Sequence, residues 1–321
     1  MRGVVALTGA TGFIGKTVMR RLVGAGRRVR ALYRQPLPPR SCAGDGAVEW
    51  VRGSLEDRDS LERLLDGVEA VVHCAGRVRG VDGSHFNGVN IDGVARLVHA
   101  ARQVHGSPRF LAVSSLAARE PHLSPYAASK LGGERVLAAE SGSLSWVALR
   151  PPAVYGPGDR EIAPVLKMMV RGIAPAVAPQ SARFSMIFVE DLVEAMIALL
   201  EQPVWKGQCF ELHDGQPGGY CWADVIRTVS RITGRPVLAL GVPRIVLRSL
   251  ARMNVVGARL FGYAPMLTPG KVHELIHPDW TCTNENLSRE TGWTPRTFLP
   301  DGLRQTLACL SPGYGQTAPL N

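Results

Sequence analysis

Val4-Val5-Ala6-Leu7-Thr8-Gly9-Ala10-Thr11-Gly12-Phe13-Ile14-Gly15 joins a strand-like run to a helix-like run through a glycine-rich turn. Val4 to Leu7 is an apolar, β-branched run of strand length, and Phe13 to Val23 carries helical patterning that ends at Gly24 and Gly26. Gly9, Gly12 and Gly15 punctuate the turn between them with the spacing that cradles a dinucleotide. Gly9 permits the tight turn, Gly12 lets backbone approach a pyrophosphate, and Gly15 lets helix and strand pack closely. The helix N-terminus adds unpaired N–H groups and the positive end of its dipole. Thr8, Thr11, Phe13 and Ile14 complete the candidate cradle.

Working outward, further strands read at Val29–Tyr33, Val48–Val51, Ala70–Cys74, Phe110–Val113 and Trp146–Leu149, six in all with the first. Helical patterns lie between them, near 57–66, 86–105 and 124–140. Strands alternating with helices of this length predict an α/β fold, a doubly wound parallel sheet covered on both faces (a Rossmann fold). Such a sheet holds its ligand outside the carboxyl ends of its strands. After Gly156-Pro157-Gly158 prolines become frequent and the alternation loosens, with strands at Met186–Phe188 and Cys209–Leu212 and a helix at Leu192–Glu201. The expected organisation is an NAD(P)-binding domain over 1–158 with returning segments near 184–215. Residues 159–321 are expected to be mainly a smaller, interleaved substrate-binding region. Residues 35–47 read as a surface loop.

The end of the second strand is where the adenosine ribose of a dinucleotide is met. An acidic side chain there pairs with the free hydroxyls of NAD, whereas an arginine suits the 2′-phosphate of NADP. Arg34 occupies the position, with no Asp or Glu before Asp45. NADP is therefore the expected cofactor, with NAD as the alternative.

Tyr126 and Lys130 lie four apart in Ser124-Pro125-Tyr126-Ala127-Ala128-Ser129-Lys130 and share a helix face. A phenol with a pKa near ~10 is a poor base at neutral pH. A neighbouring ammonium and a cationic nicotinamide both favour its anion, so Lys130 is expected to bring Tyr126 toward working range. Ser115, just past the strand Phe110–Val113, is expected to hold the same substrate oxygen. Asn90, ahead of a helix, reads as a helix-bend or water-relay residue.

Taken together, Thr8–Gly15, Ser114-Ser115, Tyr126 with Lys130, and Leu149-Arg150-Pro151-Pro152-Ala153-Val154-Tyr155-Gly156-Pro157-Gly158-Asp159 resemble the extended short-chain dehydrogenase/reductase superfamily. That group includes the NAD-dependent epimerase/dehydratases and a 3β-hydroxysteroid dehydrogenase-like branch. The similarity continues through Phe188-Val189-Glu190-Asp191-Leu192 and Thr291-Gly292-Trp293-Thr294-Pro295. The resemblance implies a catalytic Ser115, Tyr126 and Lys130 with Asn90 in support. It also implies cofactor contacts from Ser54 and Leu55 after the third strand, Ala75 and Gly76 after the fourth, and Pro151, Ala153 and Val154 beside the nicotinamide. Leu116 and Ala117 stand where the family's dehydratases carry an acidic pair, which argues against elimination of water. Ala153 replaces the Asn of sugar-nucleotide members, and Ser54 replaces the usual acid near adenine. The Ser115–Tyr126 spacing is short, implying a trimmed rim. The expectation is hydride transfer between nicotinamide and a secondary alcohol or ketone of a small substrate, apolar ones included. Epimerisation without net redox, or a non-catalytic NADP(H)-binding regulatory or assembly role, is the alternative.

Composition narrows the classes. The chain has 321 residues, 45% of them apolar, with 37 Lys+Arg against 27 Asp+Glu for a net +10. The cationic residues are nearly all arginines scattered over the whole length, and no nucleic-acid stripe stands out. Six cysteines form no CxxC pair and read as free thiols of a reducing compartment. Eight histidines show no metal spacing. No apolar run approaches the ~18 residues of a membrane span. A soluble, cytoplasmic protein with no metal, no nucleic acid and no integral membrane association is expected, with a homodimer left open. Residues 243–262 place Arg244, Arg248 and Arg252 on one helical stripe, with Val246, Leu247, Leu250 and Met253 broadly opposite. An ordinary amphipathic helix with a solvated basic face is the expected reading, and an anionic membrane or lipid-like substrate the alternative. Arg150 is expected to anchor its strand end, and Trp280 and Trp293 to pin the C-terminal segment.

Overall fold

The computed structural model of the chain describes residues 3–34 and 46–310. In chain order the first half consists of β1 (Val4–Thr8), α1 (Phe13–Gly24), β2 (Arg28–Tyr33), β3 (Val48–Arg52), α2 (Arg58–Leu65) and β4 (Val68–His73). It continues with α3 (Gly83–Asn90), α4 (Asp92–Gln103), β5 (Arg109–Val113), a 3₁₀ turn (Leu116–Arg119), α5 (Pro125–Glu140) and β6 (Trp146–Arg150). The second half runs β7 (Ala153–Tyr155), α6 (Ala163–Val170), β8 (Ile173–Ala176), β9 (Arg183–Phe184), β10 (Met186–Phe188), α7 (Val189–Leu200), β11 (Gln208–Glu211) and α8 (Trp222–Thr233). It ends with β12 (Leu238–Gly241), α9 (Arg244–Phe261), α10 (Pro269–Ile276), β13 (Asp279–Trp280), α11 (Glu285–Thr291) and α12 (Leu299–Leu310).

Seven strands form one sheet in the order β11-β6-β5-β4-β1-β2-β3, all parallel. Side chains alternate across each strand, so β1 sends Val5 and Leu7 into one core with Met19 and Leu22 of α1 and Leu192 and Met196 of α7. Ala6 faces the other core, with Leu61 and Leu64 of α2, Leu97 of α4 and Leu137 of α5. The expected strand near Cys209 joins the edge of this main sheet beside β6. The remaining strands pair in twos, β10 with β7, β12 with β8 and β13 with β9. A separate core under them gathers Tyr155, Leu166, Phe188, Val225 and Leu303.

One expected element divides. The helix read over 86–105 is two helices that meet at Ile91. The Asn90 side chain reaches across to Arg77, donating to its carbonyl at 3.0 Å and accepting from its N–H at 2.8 Å. Asp191 accepts from the N–H groups of Arg296 (3.1 Å) and Thr297 (2.7 Å). That clasp ties the Phe188–Leu192 segment to the C-terminal segment in which Trp293 is buried. Of the expected loop 35–47, only Gly46 and Ala47 fall within the described residues. Five cysteines are free, and Cys42 lies outside the described residues.

Candidate active site

From β1 the chain builds outward to β2 and β3, then returns to lay β4 on the other side. The crevice at the carboxyl ends of β1 and β4 is therefore the switch point where such sheets take a ligand. The glycine turn lies there. Gly9 has φ +71°, and a Cβ on it would stand 2.6 Å from Cys74 C and Ala75 N. A Cβ on Gly15 would stand 2.1 Å from Gly9 O. Neither position tolerates a side chain, which is why β1, α1 and the β4 turn close up so tightly. Gly12 caps α1 without any side-chain hydrogen bond. Thr11 and Gly12 are exposed, and Phe13 and Ile14 half-buried. The first N–H groups of α1 thus face an open cradle of the kind that holds a pyrophosphate. Thr8 has another task. Its buried hydroxyl bonds His73 Nδ1 at 2.7 Å and accepts from Ala75 N at 3.3 Å, joining β1 to β4. Burial holds His73 neutral, its pKa lowered to about 3.

The other predicted residues gather beside this cradle. Ser124 caps α5, accepting from Ala127 N at 2.9 Å, and Pro125 begins the helix. That start sets Tyr126 in the first turn and Lys130 one turn on. Ser115 follows β5 beside Tyr126, where its hydroxyl favours the ionised phenol; it also caps the 3₁₀ turn through Ala117 N at 3.2 Å. The edge of the Phe86 ring meets the Tyr126 ring, centroids 6.0 Å apart. Lys130 Nζ donates to Val113 O at 2.8 Å.

The electrostatics correct one expectation. Lys130 and a cationic nicotinamide together were expected to draw the Tyr126 pKa down, and the chain's own groups do not do so. Instead burial pushes the phenol up to about 12, with Glu274 and Glu161 acting in the same direction and only the Ser115 hydroxyl opposing. The Lys130 ammonium is spent on the Val113 carbonyl, and its own burial lowers it to about 8. Burial also raises the nearby Cys74 thiol to about 12, so it is no nucleophile.

Glu134, one further turn along α5, was missed by the sequence reading. This buried carboxylate takes Arg150 in a bidentate pair, Nε at 2.9 Å and the second nitrogen at 2.6 Å. It also accepts from the Ser114 hydroxyl. Its charge favours the ammonium of Lys130. The signal was present, since Lys130 and Glu134 are four apart and an acid on an otherwise apolar helix face demands a partner. Arg150 is thereby an anchor. Asn90 Nδ2 donates to Ser129 Oγ at 2.9 Å, strapping the β4 loop to α5. A Cβ on Gly76 would lie 3.5 Å from both Asn90 Oδ1 and Lys130 Nζ. Behind Lys130 a cavity of about 20 Å³, lined in part by Asn90, Ala75 and Glu134, has room for one water.

The rim is more varied. Arg34 follows β2 and is exposed. Ser54 folds back on its own turn, accepting from Glu56 N at 3.2 Å, and Leu55 packs against Gly93 of α4. Pro151 is buried and its carbonyl accepts from Leu116 N at 2.9 Å, whereas Ala153 is exposed and Val154 half-buried. Arg79 bridges to Glu161 at 2.9 Å across the opening. Ser124 donates to Glu274 of α10, which Lys271 neutralises at 2.8 Å.

A glycine cradle at the switch point of a doubly wound sheet defines a dinucleotide-binding fold. The profile of the NAD dependent epimerase/dehydratase family matches residues 5–211, and the chain belongs to that family. It is 36% identical over 306 residues to the ceramide reductase of Caulobacter vibrioides, covering 95% of this chain and 94% of the relative. It is 28% identical to the 2-alkyl-3-oxoalkanoate reductase of Stenotrophomonas maltophilia, covering 95% and 98%. Among solved structures it superposes on the UDP-glucuronic acid 4-epimerase of Bacillus cereus, in complex with UDP-glucuronic acid and NAD. There the TM-score is 0.75 and the identity 18%, over 97% of this chain and 100% of that one. The chain is an NAD(P)-dependent oxidoreductase or epimerase.

Proposed function

We propose that this protein is a reductase that converts a ketone on a long-chain, lipid-like substrate to a secondary alcohol, with NADPH as the preferred donor. The observation that carries the reading is the Ser115–Tyr126 pair beside Lys130, with Leu116 and Ala117 in place of any second acid and base. When bound, the reduced nicotinamide supplies the hydride. Everything else falls to the chain's own groups. The open N-terminus of α1 and the Gly9–Gly15 turn hold the diphosphate. Arg34 takes a 2′-phosphate, with Ser54, Leu55, Ala75 and Gly76 around the adenosine half and Pro151, Ala153 and Val154 around the nicotinamide half.

At a pKa of about 12 Tyr126 is fully protonated at neutral pH, so the resting site presents an acid. That is the form reduction needs: the phenol gives its proton to the carbonyl oxygen as the carbon accepts hydride. Ser115 orients that oxygen, and its hydroxyl supports the phenolate left behind. Lys130, with a pKa of about 8, has a proton to return to the phenolate and draws on the water-sized cavity behind it, which Asn90 helps line. The names of the two reductases, both matched over nearly their whole length, support an alkyl-chain substrate. Ala153 stands where sugar-nucleotide members of the family carry an Asn that meets the substrate diphosphate, which agrees with a substrate that brings none.

The test is oxidation of NADPH and NADH followed by absorbance with 3-oxo lipids and with UDP-sugars. Turnover of the lipid ketone with NADPH is expected. Tyr126→Phe is expected to lose about 10²–10⁴ in turnover while still binding cofactor. Conversion of UDP-sugars without net cofactor oxidation would overturn the assignment in favour of epimerisation.

A further inference from the structure

α9 (Arg244–Phe261) carries its apolar residues on the wrong side for a helix that merely covers a core. With 3.6 residues per turn, Leu247, Ala251 and Ala258 fall on one stripe, and these are the buried residues of the helix. Leu247 and Ala251 pack on Val272 and Ile276 of α10 in a small core of their own. Away from that stripe Ile245 is 75% exposed, Met253 69%, Leu260 74% and Phe261 81%, with Val246 and Val256 exposed between them. The expected amphipathic helix therefore has its faces reassigned, since most of its large apolar side chains are in solvent. β12, which leads into α9, adds exposed Leu238 and Leu240. Scattered exposed leucines are ordinary, but a continuous apolar stripe along an 18-residue helix is a contact surface.

The charge beside it selects the occupant. Arg244, Arg248, Arg252 and Arg259 line the edge between the buried and exposed stripes, and all four are exposed. No Asp or Glu occurs from Val225 to His273, while Arg227, Arg231, Arg235, Arg244, Arg248, Arg252, Arg259 and Lys271 do. This one stretch thus supplies +8 of the chain's net +10, so although arginines occur along the whole chain their excess over acids is concentrated here. A second copy docked across a two-fold axis would bring one arginine-flanked helix to another of the same charge. A partner with anionic headgroups over hydrocarbon suits both stripes at once.

We infer that α9 is an interfacial helix, which lies in the plane of an anionic membrane with Ile245, Met253, Leu260 and Phe261 below the headgroups and the arginines among them. It lies on the bilayer and does not span it: among the described residues no helix is long and apolar enough to cross a membrane. The helix is also coupled to the candidate site. It packs on α10, and Glu274 of α10 accepts from Ser124, the cap of the helix that presents Tyr126. A docked α9 holds that corner of the site at the lipid surface.

The experiment is flotation of the purified full chain with phosphatidylcholine vesicles, with and without phosphatidylglycerol. Binding to the anionic vesicles, weakened by salt, is expected. Leu260→Ser with Phe261→Ser changes no charge and touches only exposed side chains, so the fold should persist, as a thermal melt checks. It is expected to lower partitioning at least about tenfold. Arg248→Gln with Arg252→Gln should remove the preference for phosphatidylglycerol. Equal binding by wild type and the serine variant, equal binding to both vesicles, or no binding to either, would each overturn the inference. So would a dimer in sedimentation equilibrium that the serine variant splits, which would assign the face to a second copy. None of these readouts depends on the substrate.

Discussion

Replacing Glu134 by Gln removes one charge and almost no volume, so the effect reads out electrostatics and hydrogen bonding with little packing change. The carboxylate has both oxygens occupied, one by Arg150 Nε and the Ser114 hydroxyl, the other by the second guanidinium nitrogen at 2.6 Å. An amide offers one acceptor oxygen, and its NH2 must face either Arg150 or Ser114, donor against donor. Breaking a buried pair by neutralising one partner costs about 3–5 kcal/mol. Glu134 is 6% exposed at its side chain but Arg150 is 21%, and Glu211 remains at 3.9 Å as a second carboxylate. The lower end applies, about 3 kcal/mol, which at about 2 °C per kcal/mol lowers Tm by roughly 6 °C. A second readout separates this from a purely structural loss. Glu134 favours the charged form of Lys130. Without it the ammonium should titrate below about 8, and the alkaline limb of kcat should move to lower pH. Scanning calorimetry gives the first number and a pH series of initial rates the second. A Tm drop under about 1 °C, with an unmoved alkaline limb, would refute the reasoning.

Two further outcomes are expected. Gly15→Ala should abolish binding of reduced cofactor, followed by its fluorescence, because the added methyl meets Gly9 O at 2.1 Å. Gly24→Ala, with nothing within 4 Å, should bind normally, and equal binding by the two variants would refute the cradle. Lys130 has a folded pKa of about 8 against 10.5 for the free side chain. Between those values the unfolded chain binds the proton more tightly, so this residue's contribution to stability rises with pH across that window and its cost is full below it. Lys130→Met should therefore be more stable than wild type at pH 7, by about 2 kcal/mol once ~1 is deducted for the lost bond to Val113 O. The advantage should fade toward pH 10, and a variant less stable than wild type at pH 7 would contradict the burial argument.

How much was legible in the sequence differs from feature to feature. The glycine turn was, because its demands are local: a positive φ at Gly9 and backbone contacts under 3 Å at Gly9 and Gly15 leave no other residue type. So was the strand–helix alternation, since periodicity reports which faces are buried. Asn90 was legible as a break in a helix, but its partners Arg77 and Ser129 were not. Thr8 was assigned to the cradle by position, while its hydroxyl belongs to His73, which lies 65 residues away.

What the sequence determined by itself was the sheet, the cradle and the four-residue spacing of Tyr126 and Lys130, all consequences of backbone geometry over a few neighbouring residues. Only the tertiary structure decided the electrostatic surroundings of Tyr126 and which face of α9 is buried. The pKa of Tyr126 depends on desolvation and on Glu274 and Glu161, which other segments deliver. Likewise, a helix pattern says that two faces exist, but which one is buried depends on what packs there. In α9 Leu247 and Ala251 pack on α10, with Ala258 buried on the same stripe, and the apolar stripe and the arginines face outward.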